Sequence, residues 1–244
     1  MAQRKRGFYE KYIKRALDIV CALLALIVFS WLYLLIAIAV RIKLGKPVLF
    51  KQPRPGMIDP QTGQERIFDM YKFRTMSDAR NERGELLPDE QRLDRFGRLL
   101  RATSLDELPE AINILKGEMS VIGPRPQLVR DMVFMTDEQR MRHTAKPGLS
   151  GLAQVKGRNV ISWEEKLTWD LKYIEKVSFC NDLKIVVETV RVAFLERKGV
   201  TDGESATAMD FGDVLLSEGK VSKEQYDLLM SQAVKLIGEY EDLS

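Results

Sequence analysis

The stretch "IVCALLALIVFSWLYLLIAIAV", residues 19–40, runs for 22 residues without a charged side chain. Roughly 18 such residues already mark a membrane-helix candidate. A buried core helix is the competing reading. A cleaved signal peptide fits less well, because no small-x-small cleavage site follows and the apolar run is too long for one. The flanks then decide how the segment sits. Arg4, Lys5, Arg6, Lys11, Lys14 and Arg15 precede it, while Arg41, Lys43, Lys46 and Lys51 follow it. Positive residues favour the cytoplasmic side of a membrane. Both flanks obey that preference only if the segment enters and leaves by one face, as a bent re-entrant helix. At about 1.5 Å per residue the same run also suffices for one straight crossing. Ser30-Trp31 lies at the midpoint, where a serine can take up a backbone group freed by a bend but tryptophan is no helix breaker. The residues leave bent and straight forms open and argue for attachment in either case.

Charge is distributed in keeping with that attachment. The 244 residues carry a formal charge of only +3, but residues 1–54 hold eleven Lys or Arg against Glu10 and Asp18. Residues 201–244 hold ten acids against three lysines. A basic region facing an anionic surface and an acidic tail facing water is the simplest account. Two cysteines, Cys21 and Cys180, rule out a disulfide framework and a Cys-rich metal site, and suit a reducing compartment.

Beyond the apolar segment, "PVLFKQ" (47–52) and "RIFDMYKFRTM" (66–76) read as two strands separated by the turn-rich "RPGMIDPQTGQE". Strand alternation would put Lys72 and Arg74 on one face, opposite Tyr71 and Phe73. Residues 89–101 place Leu93, Phe96 and Leu100 at helical spacing, with Arg92, Arg95 and Arg98 along another side. "KPGLSGLAQVKGRN" (146–159) reads as a Gly-rich basic loop. Helices are expected over about 163–177 and 183–195. A linker, "TDGESATAMDFGD" (201–213), leads to a last helix opened by Ser222 and Gln225 in capping-box spacing.

Between these lies "SLDELPEAINILKGEMSVIGPRP" (104–126), which begins with adjacent carboxylates and ends in a Gly-Pro-Arg-Pro loop. Ser104 and Glu107 have capping-box spacing, and acids are favoured in a helix's first turn, so a purely structural account is available. Pro109 would move the helix start closer to Asp106. The companions of Asp106 and Glu107 argue for chemistry as well: Arg101 precedes the pair, Arg125 sits between prolines, and Lys72 and Arg74 project from a strand. Arginine forks match phosphate oxygens, so acids among such cations suggest phosphoryl chemistry with a divalent ion. Mg²⁺ is the expected ion, because it takes one or two carboxylates plus substrate phosphates and no His or Cys cluster offers a zinc site. The lone His143 reads as structural.

With these residues assembled, the chain resembles the bacterial monotopic phosphoglycosyl transferases, also called bacterial sugar transferases. "KRALDIV" (14–20), "QPRPG" (52–56), "YKFRTM" (71–76), the 104–126 stretch and "KPGLSGLAQVKGRN" follow one another in the family's order. The resemblance covers residues 14–198 and implies transfer of a phospho-sugar from a UDP-sugar to a polyprenol phosphate such as undecaprenyl phosphate. That reaction releases UMP at the cytoplasmic face of the inner membrane and begins membrane glycan and polysaccharide synthesis. It assigns Asp106 as nucleophile, Glu107 as the Mg²⁺ ligand, and Lys72, Arg101 and Arg125 to phosphate binding or support of the acid pair. The expected fold is mainly α with a small β-hairpin, a membrane-associated α+β chain: residues 1–45 a basic N-terminus and re-entrant membrane helix, 46–199 a cytoplasmic catalytic domain, 200–244 an acidic helical appendage. The expected partners are the UDP-sugar, the polyprenol phosphate and membrane lipid, with no nucleic acid and with self-association open. The family's re-entrant helix bends at Ser-Pro, where this chain has Ser30-Trp31. The rival reading is a membrane-tethered adaptor that keeps the fold and binds lipid phosphate or a partner glycosyltransferase without turnover.

Overall fold

The computed structural model describes residues 4–157, 161–194 and 209–242. It is mainly helical, with one small antiparallel sheet as expected and a minimal parallel one that the sequence did not announce. Between Phe8 and Leu44 there is neither glycine nor proline, and this run forms a single π turn (Tyr9–Ile13) followed by helices α1 (Lys14–Val28) and α2 (Ser30–Lys43). Gly45, at φ +83°, then closes the run with the left-handed residue that helix ends favour.

The two helices meet at Phe29 with a bend of 64°. No single helix among the described residues is long and apolar enough to cross a membrane, while the bent pair is, by length and composition. A bend without proline needs another cause, and the two halves are anchored to different parts of the chain. On α1, Asp18 accepts hydrogen bonds from Ser120 Oγ and Val121 N, both at 2.9 Å, and Ala22 is buried against Phe68, Met70 and Ile114. On α2, Ile36 and Val40 are buried with Phe73 and Leu100, and the Tyr33 hydroxyl donates to the Leu108 carbonyl. The outward side chains stay apolar: Ile27 is 69 % exposed, Trp31 61 % and Ile42 75 %.

Strands β1 (Leu49–Ile58) and β2 (Glu65–Phe73) pair antiparallel, with Phe50 opposite Lys72 and Arg54 opposite Phe68. β1 outruns its expected end at Gln52. Pro53 and Pro55 are two residues apart, so both missing N–H groups fall on the outer side of an edge strand, where no ladder bond is lost. Lys72 and Arg74 do not share a face in the way the alternation predicts. β2 ends at Phe73, and the buried Arg74 turns to Asp78, at 2.7 Å, and to the backbone carbonyls of Leu44 and Lys46.

The expected helix over 89–101 is two pieces, α3 (Asp89–Arg92) and α4 (Arg95–Ala102). Asp94 breaks it by capping α4, its carboxylate accepting from Gly97 N at 2.7 Å. A 3₁₀ turn (Leu105–Glu107) leads to α5 (Glu110–Lys116), which ends at Gly117. β3 (Ser120–Ile122) follows, then α6 (Val129–Met132), α7 (Asp137–Arg140) and a 3₁₀ turn (Met141–Thr144). The 146–159 segment is not a loop in its described part: β4 (Gly148–Ser150) pairs parallel with β3, and α8 (Leu152–Gly157) follows. Residues 158 and 159 lie outside the described residues. Its glycines serve close backbone packing, since a Cβ on Gly148 would lie 2.0 Å from Gly123 N.

α9 (Trp163–Glu175) and α10 (Phe179–Phe194) complete this part, α10 starting four residues before its expected beginning. The first eight residues of the expected linker lie outside the described residues. Its end is structured, because Phe211 is buried and opens α11 (Phe211–Ser217). The Ser222–Gln225 capping box forms as the spacing predicts and starts α12 (Lys223–Glu241). α12 packs on α6 through Ala233, Val129 and Met132, and Phe211 stacks near Trp163 with ring centroids 5.2 Å apart.

Candidate active site

The site begins with the backbone of Ser104, which adopts φ 54° and ψ 21°, a left-handed conformation that costs a non-glycine residue about 1 kcal/mol. It reverses the chain between α4 and the 3₁₀ turn that carries Asp106 and Glu107. The predicted capping box of Ser104 with Glu107 does not form: Ser104 makes no side-chain cap, and a helix cap takes extended backbone. Glu107 is occupied elsewhere. Its Oε1 accepts from Lys72 Nζ at 2.7 Å and from Arg125 at 2.5 Å. β2 thus delivers one cation and the Gly-Pro-Arg-Pro loop after β3 the other. Both converge on one oxygen, and no hydrogen bond to Oε2 is seen among the described residues. Although burial opposes ionisation, the charges of Arg125 and Lys72 hold this carboxyl well below the usual range.

Asp106 differs from its neighbour. It is 7 % exposed and makes no ion pair and no side-chain hydrogen bond to another residue among the described residues. Burial raises its pKa, Lys72 opposes the rise, Glu107 adds to it, and Arg101 opposes it. Arg101 itself does not contact the acid pair. Its guanidinium donates to Thr75 Oγ1 at 3.0 Å, so it acts on Asp106 through its field.

Three features here had no place in the sequence reading. Glu110, on the first turn of α5, is 1 % exposed and 3.4 Å from Lys72 Nζ. Burial and the neighbouring Glu107 push its pKa up to about 7, and its Oε1 has no hydrogen-bond partner. Arg54, in the quoted "QPRPG", donates to Pro126 O at 3.1 Å and to Gln52 Oε1 at 2.6 Å, which brings it beside Arg125. Burial first and Arg125 second lower its pKa to about 10. The third is a buttress: Arg142 donates to the Arg125 carbonyl at 2.6 Å and makes a two-pronged, fully buried contact to Asp170 at 2.6 and 2.9 Å. The signals available were the arginine inside the motif and the helical spacing of Glu110 from Asp106 and Glu107. His143 is buried and 3.0 Å from Glu65, as a structural histidine is expected to be, and burial lowers its pKa to about 4.

Among the described residues no three His, Cys, Asp or Glu gather as a metal cage. The donors present still suit Mg²⁺, because the adjacent Asp106 and Glu107 carboxylates offer hard oxygens, and that ion completes its shell with water and substrate phosphate.

Fold and site together give a carboxylate pair inside a shell of cations, Lys72, Arg125 and Arg54, in a chain that also carries an outward-facing apolar helix pair. The chain belongs to the bacterial sugar transferase family, whose sequence model matches residues 9–196. It is 44 % identical over 205 residues to an uncharacterized sugar transferase, EpsL, of Bacillus subtilis, covering 83 % of this chain and 98 % of that one. It is 38 % identical over 192 residues to a UDP-glucose:undecaprenyl-phosphate glucose-1-phosphate transferase of Caulobacter vibrioides, covering 72 % and 68 %. To the Escherichia coli protein of the same name it is 36 % identical over 198 residues, 77 % of this chain and 41 % of that longer one.

Proposed function

We propose that the chain transfers a phospho-sugar from a UDP-sugar to a polyprenol phosphate through a covalent intermediate on Asp106, with release of UMP. The observation that carries this reading is the asymmetry of the acid pair. Glu107 is held by Lys72 and Arg125, whereas Asp106, one residue earlier, is buried with no counter-ion in contact. A carboxylate largely withdrawn from water and left without a cation in contact is disposed to act as a nucleophile. The names of the Caulobacter and Escherichia relatives support the same class of reaction.

In the first half-reaction a carboxylate oxygen of Asp106 bonds to the sugar-bearing phosphorus. The bridging P–O bond breaks and its electron pair leaves with UMP. In the second, an oxygen of the polyprenol phosphate attacks the same phosphorus, the acyl-phosphate bond breaks, and Asp106 returns as a carboxylate. An anionic nucleophile must approach an anionic diphosphate, so Lys72 and Arg125, with Arg54 nearby and Arg101 acting on Asp106, offset the repulsion. Glu107, with Asp106 beside it, would hold Mg²⁺, which when bound supplies charge that neutralises the diphosphate.

The acceptor is a lipid, and the apolar surface supports delivery from a bilayer. Besides the bent pair, α10 exposes Phe179, Leu183, Val187 and Val190 at spacings of one face of a helix. With basic residues on both flanks, this reading seats α1 and α2 in the cytoplasmic leaflet of the inner membrane as a re-entrant hairpin. The test is UMP release from a panel of UDP-sugars with undecaprenyl phosphate and Mg²⁺. Wild type turns over one of them and Asp106→Asn does not. Equal activity in both rejects the nucleophile, and background release from wild type with every sugar leaves the idle adaptor standing instead.

A further inference from the structure

α5 carries charge at its far end as well. The carbonyls of Ile114 and Leu115 accept from the Arg15 guanidinium at 2.5 and 2.7 Å. Lys146, from the segment before β4, comes to the same place: a Cβ on Gly117 would lie 3.3 Å from Arg15 Cζ and 3.4 Å from Lys146 Nζ. A cavity of about 160 Å³ opens here, and five cations face it, Arg6, Lys11, Lys14, Arg15 and Lys146, against Glu10 and Asp18.

Most of the opposite charge is already engaged. Glu10 pairs with Arg4 at 2.5 Å, Asp18 is bonded to Ser120 and Val121, and Lys14 pairs with Asp182. That leaves the side chains of Lys11 and Lys146 with no hydrogen bond or ion pair among the described residues, and the Arg6 guanidinium with a single one there, to the Met57 sulfur at 3.9 Å. Lys146 is half-buried, and burial and Arg15 both lower its pKa. Two converging cations without a carboxylate between them repel each other at a cost that a bound anion relieves. The acid pair lies at the other end of α5, and seven residues at about 1.5 Å each separate the two ends by about 10 Å.

We propose that this cavity is a second anion site, distinct from the acid pair, and that it takes a phosphate group at the base of the bent helix. The phosphate belongs either to a lipid head group or to free phosphate in solution. Lys14 and Arg15 stand one turn before the apolar run, so a bilayer around that run would present its head groups here.

The experiment reads acetylation of Lys146 by mass spectrometry in the full chain carrying Asp106→Asn, with exposed Lys223 as internal reference. One arm adds inorganic phosphate to protein in maltoside detergent. The other compares bilayer discs of phosphatidic acid with discs of a phosphate-free galactolipid. An ion pair at a partly buried amine slows its acylation roughly tenfold, because it raises the pKa by about one unit. Protection by inorganic phosphate in detergent identifies free phosphate as sufficient. Protection by phosphatidic acid but not by galactolipid or inorganic phosphate identifies the head group. Replacing the exposed pair, Arg6→Gln with Lys11→Gln, weakens either protection several-fold. Unchanged labelling in both arms, or protection by galactolipid equal to that by phosphatidic acid, overturns the site. Sugar transfer plays no part in the readout, so either proposal can fail without the other.

Discussion

Glu110 offers the sharpest test of the electrostatics around the acid pair. An ordinary glutamate titrates at 4.5 and this one at about 7, because burial and Glu107 disfavour its charge. The folded-state pKa is raised, so the stability this group contributes is complete below 4.5 and is lost as pH rises through 7. At about 1.36 kcal/mol for each pH unit in that window, ionising it in the folded protein costs roughly 3 kcal/mol. Glu110→Gln keeps the shape and removes the titration. The mutant is therefore expected to gain on wild type as the buffer moves from pH 5 to pH 8, by about 6–12 °C in Tm for a chain of this size. Thermal unfolding of both proteins in one detergent across that range measures it. A difference between the two that stays constant with pH would refute the reasoning, because it would mean that Glu110 does not carry the site's neutral-range proton. The same protonation lowers the negative charge facing an anionic substrate. Wild-type KM for the UDP-sugar should rise through pH 7, and the mutant's should change less.

Glu107→Gln removes the carboxylate that Lys72 and Arg125 share and one of two candidate Mg²⁺ donors; the Mg²⁺ concentration for half-maximal UMP release should rise at least tenfold, and an unchanged titration would count against the assignment. Arg142→Met strips Asp170 of its partner inside the protein and frees the Arg125 carbonyl, so a loss of about 3–5 kcal/mol of stability is expected, largely restored by adding Asp170→Leu; denaturant titration of the three proteins checks it. For the bent pair, cysteines placed at Lys11 and Lys43 should both react with an impermeant thiol reagent from the cytoplasmic side. Reaction from opposite sides would reject the hairpin.

Local pattern made much of this protein readable. An uncharged run with basic flanks announced the apolar helices, alternation announced the hairpin, and Ser222 with Gln225 announced the start of α12. Those features depend on neighbours along the chain, within one or two turns or one strand. The acid pair was legible for the same reason, as were the cations that could serve it. Which cation meets which acid was not. Lys72 and Arg74 looked equivalent on a strand, yet β2 stops between them, and one reaches Glu107 while the other turns to Asp78. Ser104 and Glu107 had the spacing of a cap, but the left-handed serine and two long-range cations took Glu107 away.

The sequence by itself determined that the chain holds an amphiphilic N-terminus, a small hairpin, a set of helices and an acid pair of the bacterial sugar transferase type. Only the tertiary structure decided that the apolar helix bends at Phe29 without a proline, that Arg54 and Glu110 enter the site, and that Asp106 is the carboxylate left unpaired. The reason is physical. Periodicity and capping act within a few residues, whereas bends, ion-pair choice and pKa follow from burial and from contacts between segments distant in the chain, such as Asp18 with Ser120 and Lys72 with Glu107.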